Sequence, residues 1–241
     1  MNVSKKIVQQ IKIIPDDTTF GYEQLPIAKE EYLAAAKAME RLQKKGIIKK
    51  ISKGVFYKPK MSVFGELKPN EQEILKPYLF QDGKRMAYIT GTYLYNQLGL
   101  TTQLTNRIKI ASRSKRIYVN TGALKATPVK SYADVTDENF QLLGFLDAIK
   151  DLKIIPDADI NSAITVFSNR IKQLTNQEVE EMINYALLYP PRVRALLGAI
   201  LEQINRTRGI EKLREKLNPL SHFNFGIKPE YLKSVSNWNI R

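Results

Sequence analysis

The chain has no cysteine among its 241 residues, which excludes disulfides, thiolate metal sites and cysteine nucleophiles. Histidine is almost absent as well: His222 stands alone, so no histidine-rich metal centre can be assembled. No apolar run approaches the roughly 20 residues of a membrane-spanning helix. The opening Met1-Asn2-Val3-Ser4-Lys5-Lys6 leads into a mixed segment rather than a secretory apolar core, so a soluble cytoplasmic protein without membrane partners is expected. The familiar catalytic spacings are missing too: no Gly-x-Ser-x-Gly, no GxxxxGK[ST], no GxGxxG, and no Gly-Ser followed by Asp-x-Asp. Asp157 and Asp159 form an acidic pair with loop spacing, a common and weak signal, and Asp16-Asp17 reads as a solvated turn. The expectation is a protein that is not an enzyme, with no catalytic residue, cofactor or metal.

Acidic residues are also in short supply: 24 against 38 Lys and Arg, a net charge of +14. Such a surplus points to a polyanion, most often nucleic acid or an anionic membrane face; a solvated basic surface is the plain alternative. The excess is uneven. Residues 1 to 60 hold 13 basic and 6 acidic side chains, and the stretch from Gly83 to Ala133 holds nine Lys or Arg with no Asp or Glu.

The informative stretch runs from Lys29 to Lys60. Its first part is rich in Ala, Glu, Lys and Leu, and Tyr32, Ala35, Met39 and Leu42 recur at spacings of three and four, which predicts an amphipathic helix over about 28–45. Lys37, Arg41 and Lys44 form a basic stripe on another face, and Gly46 can close the helix in the left-handed conformation. Ile47 to Ile51 then alternates, Ser52-Lys53-Gly54 can turn, and Val55-Phe56-Tyr57 returns as a second strand. Upstream, Ile7, Val8, Ile11 and Ile14 suit a short helix, Thr18-Thr19-Phe20 a third strand, and Gly21 to Leu25 a turn. A helix followed by a basic hairpin is the layout of a winged helix-turn-helix. On that reading Lys29, Glu30 and Leu33 face base edges from the start of the recognition helix. Lys37, Arg41, Lys44, Lys49, Lys50 and Lys53 hold phosphates of double-stranded DNA.

Pro59 to Pro69 reads as a linker, and the domains are placed at 1–64 and 65–241, the latter divided into an α+β block over 65–135 and a helical part over 136–241. Asn70 caps a predicted helix with Glu73 three residues on. An extended entry to Thr90 precedes a short helix closed by Gly99. Strands are expected at 107–112 and 117–119, paired through the Arg113–Arg116 turn. Arg107, Lys109, Arg113, Lys115 and Arg116 make a second basic surface there, suited to DNA, RNA or an acidic protein. Beyond Asp137 the pattern is helical: Leu142, Leu143, Leu146 and Ile149; then Ile164, Phe167 and Ile171; then a Thr175–Glu178 capping box; then Pro191 opening a further helix. Arg192 and Arg194 sit where the helix dipole disfavours cations, which hints at a carboxylate or phosphate partner, within the chain or outside it. The fold class expected is α+β.

Three stretches also resemble a known family. Lys45-Gly46-Ile47-Ile48 with Ser52-Lys53-Gly54-Val55-Phe56-Tyr57 is similar to the wing of the AbiEi-type antitoxin family, within its DUF6088 branch. Thr90-Gly91 with Leu98-Gly99-Leu100-Thr101-Thr102-Gln103 resembles that branch's middle signature, although Thr105 stands where proline is expected. The stretch from Tyr189 to Gly198 (YPPRVRALLG) resembles its C-terminal signature. The resemblance implies a repressor and antitoxin of a type IV toxin–antitoxin system. Its winged helix would bind operator repeats, and its C-terminal domain would counter a nucleotidyltransferase-like toxin; winged-helix repressors often act as pairs on repeated half-sites, so a homodimer on DNA is a further expectation. It supplies no catalytic residues. A winged-helix regulator without a toxin, and an RNA-binding or scaffolding protein, are the alternatives.

Overall fold

The computed structural model describes residues 3–67, 70–105, 107–121 and 124–241. The protein is α+β, and it divides into two compact units, Met1–Asp82 and Gly83–Arg241.

The first unit begins with helix α1 (Val3–Ile13), which buries Ile7 and Ile11, and strand β1 (Thr18–Gly21). Two single 3₁₀ turns, Tyr22–Gln24 and Lys29–Glu31, lead into helix α2 (Tyr32–Lys44). Ala35, Ala38, Met39 and Leu42 form its buried stripe, packed with Ile7, Ile11, Phe20 and Phe56. Gly46, at φ 70°, closes α2: its N–H donates to Gln43 O (2.9 Å) and the Ile47 N–H to Leu42 O (3.0 Å), the paired bonds of a Schellman motif. Strands β2 (Lys49–Ser52) and β3 (Val55–Lys58) follow, joined by Lys53-Gly54 with Gly54 at φ 77°. The sheet order is β1-β3-β2, all antiparallel, so the expected third strand exists and the last strand lies in the middle.

Of the segment read as a linker, residues 68–69 lie outside the described residues, and the described part, 59–67, is structured. It forms a hairpin of β4 (Met61–Ser62) and β5 (Gly65–Glu66). Helix α3 (Glu71–Leu79) then joins the first unit rather than opening the second. Asn70 caps it, accepting from Gln72 N at 2.9 Å, but Glu73 does not complete a capping box. The Glu73 carbonyl accepts from the Thr19 hydroxyl of β1 at 2.9 Å. Asp17 ties the same corner, accepting from Tyr57 OH (2.6 Å) and Asn70 N (3.0 Å). These bonds hold Asn70 and α3 to the first unit, which extends to Asp82, where the sequence punctuation suggests an end at residue 64.

The short strands β6 (Phe80–Gln81) and β7 (Lys84–Arg85) flank the boundary. In the second unit, β8 (Ala87–Thr90), helix α4 (Thr92–Gln97), β9 (Arg107–Ser112), β10 (Val119–Asn120) and β11 (Lys125–Lys130) build a sheet of order β10-β11-β9-β8. The expected hairpin between 107–112 and 117–119 does not form. β9 pairs antiparallel with β8 and parallel with β11, and β10 pairs with β11. β11 escapes the sequence pattern because Pro128 stands inside it. β10 reaches only Lys125 and Ala126, so at Pro128 one side of the strand lacks a neighbour, the setting in which a strand tolerates proline.

Helices α5 (Phe140–Asp151), α6 (Ile160–Gln173), α7 (Asn176–Ala186), α8 (Pro191–Gln203) and α9 (Glu211–Arg214) complete the unit. Every residue from Leu142 to Ile149 is buried in α5, which packs on β8, α7 and α8. Thr175 and Glu178 form the expected capping box, and Pro191 opens α8 as expected. Gly198 of α8 lets the indole of Trp238 lie directly on the helix; a Cβ at that position would overlap the ring. Trp238 donates to Glu202 Oε2 at 2.6 Å.

Candidate nucleic-acid interface

On α2, Leu33, Lys37, Arg41 and Lys44 are exposed, as are Tyr32, Ala34 and Glu40. Leu33 is 78% exposed at the first turn of the helix. Lys37, Arg41 and Lys44 recur at spacings of four and three, and helical geometry turns that spacing into one exposed basic stripe. Lys29 and Glu30 are exposed in the 3₁₀ turn before the helix rather than within it. That entry is fixed by Glu31, which accepts from Ala28 N (3.1 Å) and pairs with Lys6 (3.2 Å). The backbone bond from Ala28, and then Lys6, hold the Glu31 carboxyl below its ordinary pKa. Tyr32 is half-exposed and its ring lies tilted at 47° against that of Tyr22, with centroids 4.9 Å apart.

The cations of this set are not equivalent. Lys44 pairs with Glu40 at 2.9 Å and Lys49 with Glu66 at 2.7 Å. Lys58, in the same basic run, turns inward, donating to Ile14 O (2.6 Å) and pairing with Asp16 (3.0 Å). Lys29, Lys37, Arg41, Lys50 and Lys53 are exposed and have no ion-pair partner among the described residues. These five can neutralise an external anion, as can the exposed Lys45 and Lys60 of the same run. Sequence reasoning missed the carboxylates that claim Lys44 and Lys49. Glu40 was legible as an i, i+4 partner of Lys44, but Glu66 reaches Lys49 only through the unforeseen second hairpin.

The second basic surface of the sequence divides in the structure. Arg107 and Lys109 lie on the exposed face of β9, and parallel register sets Lys125 beside Arg107 and Thr127 beside Lys109. The stem of Lys109 lies against Gly91, at φ 75°, where a Cβ would come within 2.8 Å of its Cδ. Arg113 is drawn off the sheet face, donating to Tyr132 O at 2.7 Å and lying 3.7 Å from Asp134. Lys115 and Arg116 are exposed in the loop beyond, and Lys115 has an interaction within the chain. Lys125 was missed with its strand.

Arg192 and Arg194 find partners inside the unit, and neither is a carboxylate or phosphate. The Arg192 guanidinium lies over the Phe225 ring, 5.2 Å from its centroid, and Arg194 donates to Lys216 O at 3.0 Å. The middle and C-terminal signature stretches meet instead at a buried acid. Asp147 of α5 is 3% exposed. Its Oδ2 accepts from Tyr88 OH and Thr90 Oγ1, each at 2.9 Å, and its Oδ1 lies 3.3 Å from Tyr189 OH. Burial raises the Asp147 pKa against the opposing pull of Lys150. Burial likewise raises Tyr88, Tyr95 and Tyr189, so the hydroxyls stay protonated as donors. Tyr95 OH donates to Asp151 Oδ2 at 2.7 Å, and Asp151 pairs with Lys150 at 2.9 Å. The cluster is enclosed and satisfied, and it joins β8, α4, α5 and the turn before α8.

No helix among the described residues is long and apolar enough to cross a membrane, and none of their His, Asp and Glu side chains form a group of three or more able to hold a metal ion.

A family model described as a family of unknown function (DUF6088) matches residues 6–183. No curated protein matches the chain. The crystal structure of the RV2827C protein from Mycobacterium tuberculosis is similar in fold, with a TM-score of 0.57 at 12% identity, covering 93% of this chain and 85% of that one.

Proposed function

This chain belongs to the DUF6088 family, a family of unknown function, and we propose that it is a DNA-binding transcriptional regulator whose first unit is a winged helix-turn-helix. The observation that carries the reading is the exposed, unneutralised set of Lys37 and Arg41 on α2 with Lys50 and Lys53 on the hairpin that follows. The chain order of helix, strand, helix and two strands, with the last strand central in the sheet, supports it. So does the exposure of Leu33 at the start of α2, where a recognition helix meets base edges. In place of a regular first helix of the motif the chain makes the two 3₁₀ turns around Pro26, so α1 and the sheet would support α2 there. Phosphate binding releases counterions, so affinity for duplex DNA should fall steeply with salt.

Arg41→Ala combined with Lys53→Ala tests the assignment. Each phosphate that the variant no longer neutralises should lower the slope of log affinity against log salt by about one. Unchanged affinity and slope in the double variant would remove these residues from the interface.

The resemblance to AbiEi-type antitoxins extends the proposal to an autoregulating repressor of a type IV toxin–antitoxin operon, bound as a homodimer to operator repeats, with a nucleotidyltransferase-like toxin as the second partner. A nucleotidyltransferase gene beside this one, and protection of cells from its product on co-expression, support that extension. An unrelated neighbour reduces the protein to a regulator answering another signal.

A further inference from the structure

The hairpin β4–β5 carries the most exposed apolar side chains of the first unit. Val63 is 94% and Phe64 99% exposed at its tip, with Met61 at 66% and Leu67 at 43% along its arms. Isolated apolar residues on a surface are ordinary; four on one small hairpin are not. The tip does not need them for its shape. The Ser62 hydroxyl donates to Gly65 O at 2.9 Å and accepts from Phe64 N at 3.2 Å, Gly65 takes φ 107°, and Leu67 N closes the arms on Lys60 O at 2.9 Å. Backbone and Ser62 therefore hold the turn while Val63 and Phe64 project with nothing to pack on. The hairpin is also anchored, because Glu66 pairs with Lys49 of β2, the strand that carries Lys50.

Charge narrows the occupant. From Arg41 to Gly65 the chain has eight Lys or Arg and no Asp or Glu. A second copy would bring like charge to like charge, whereas duplex DNA offers both the anionic backbone and an apolar base stack. We propose that Val63 and Phe64 form a wedge that enters a base step of DNA held by the cations of the same unit, partly unstacking it and kinking the duplex. The inference rests on the DNA-binding reading above and adds to it a mode of DNA deformation.

The test uses the full-length protein and random-sequence duplex doped with 2-aminopurine, whose emission rises on unstacking. The wild type should bind and raise the emission. Phe64→Ala should keep the wild-type salt slope, bind within about tenfold of wild type, and lose most of the rise. Lys37→Ala with Arg41→Ala should instead lower the slope. A wild type that binds and leaves emission flat, or a Phe64→Ala variant that raises it fully, overturns the wedge and leaves the DNA reading standing. Absence of any duplex binding overturns both. Sedimentation and anionic phosphatidylglycerol vesicles complete the set. Loss of self-association or of vesicle binding in Phe64→Ala, with the emission rise intact, assigns the tip to a second copy or a lipid surface and overturns the proposal. Phe64 touches no core, so an unchanged melting curve shows that the variant is folded.

Discussion

Asp147 in the second unit is 3% exposed and accepts hydrogen bonds from hydroxyls on neighbouring elements, whereas Lys37 and Arg41 in the first unit stand in solvent with no carboxylate among the described residues paired to them. One pair of apolar side chains differs in the same direction, although Leu104 (88%) and Leu220 (87%) of the second unit are also exposed. Trp238 of the second unit is fully buried on Gly198, while Phe64 of the first is 99% exposed. A buried charge without partners is costly, so the second unit can hold Asp147 only by surrounding it with donors. Exposed cations cost little on their own surface and keep their field for an external anion. At these sites the second unit turns an acid inward to hold its framework and the first leaves cations in solvent, although Arg107, Lys109 and Lys125 of the second unit are exposed as well.

The contrast can be broken most severely at Asp147. Asp147→Leu leaves Tyr88, Thr90 and Tyr189 facing an apolar group and should destabilise the second unit by about 3–5 kcal/mol. Asp147→Asn, which keeps an acceptor, should cost less. Trp238 is the sole tryptophan and lies in this unit, so its emission during denaturant unfolding reports the change directly. A Leu variant that unfolds like wild type would show that the acid is not a structural node. Next in size is Gly198→Ala. Its Cβ would overlap the Trp238 ring, and overpacking of this kind costs about 1–3 kcal/mol. The same emission signal should move to lower denaturant, and an unmoved midpoint would mean that the tail relaxes freely.

The smallest effect belongs to the first unit. The Tyr57 hydroxyl, and then the Asn70 N–H, hold the Asp17 carboxyl below its ordinary value of 3.8. The folded state therefore binds fewer protons than the unfolded state in that window. Asp17 contributes stability above pH 3.8 that is lost as pH falls through its folded value. Asp17→Asn should flatten this part of the acid limb, followed by tyrosine absorbance. An identical limb in the variant would place the acid sensitivity elsewhere.

Much of the first unit was legible in the sequence because its signals are local. Helix propensity, apolar spacing and Gly46 define α2, and Lys53-Gly54 defines the turn of the hairpin. The Thr175 box and Pro191 were legible for the same reason. The parallel pairing of β9 with β11 was not, since the intervening chain holds another strand and Pro128 disguises β11. The hairpin at 61–66 was hidden by the prolines on either side, which read as a linker.

By itself, the sequence determined the α+β class, the basic stripe of α2, the exclusion of thiol chemistry and the charge run that favours a polyanion, because these depend on residue type and short spacing. Tertiary structure alone decided which lysines remain unpaired, that α3 belongs with the first unit, that Val63 and Phe64 are presented at a tip, and that the two distant signature stretches share Asp147. Each of those outcomes depends on which side chains meet across the fold, and local spacing carries no record of such meetings.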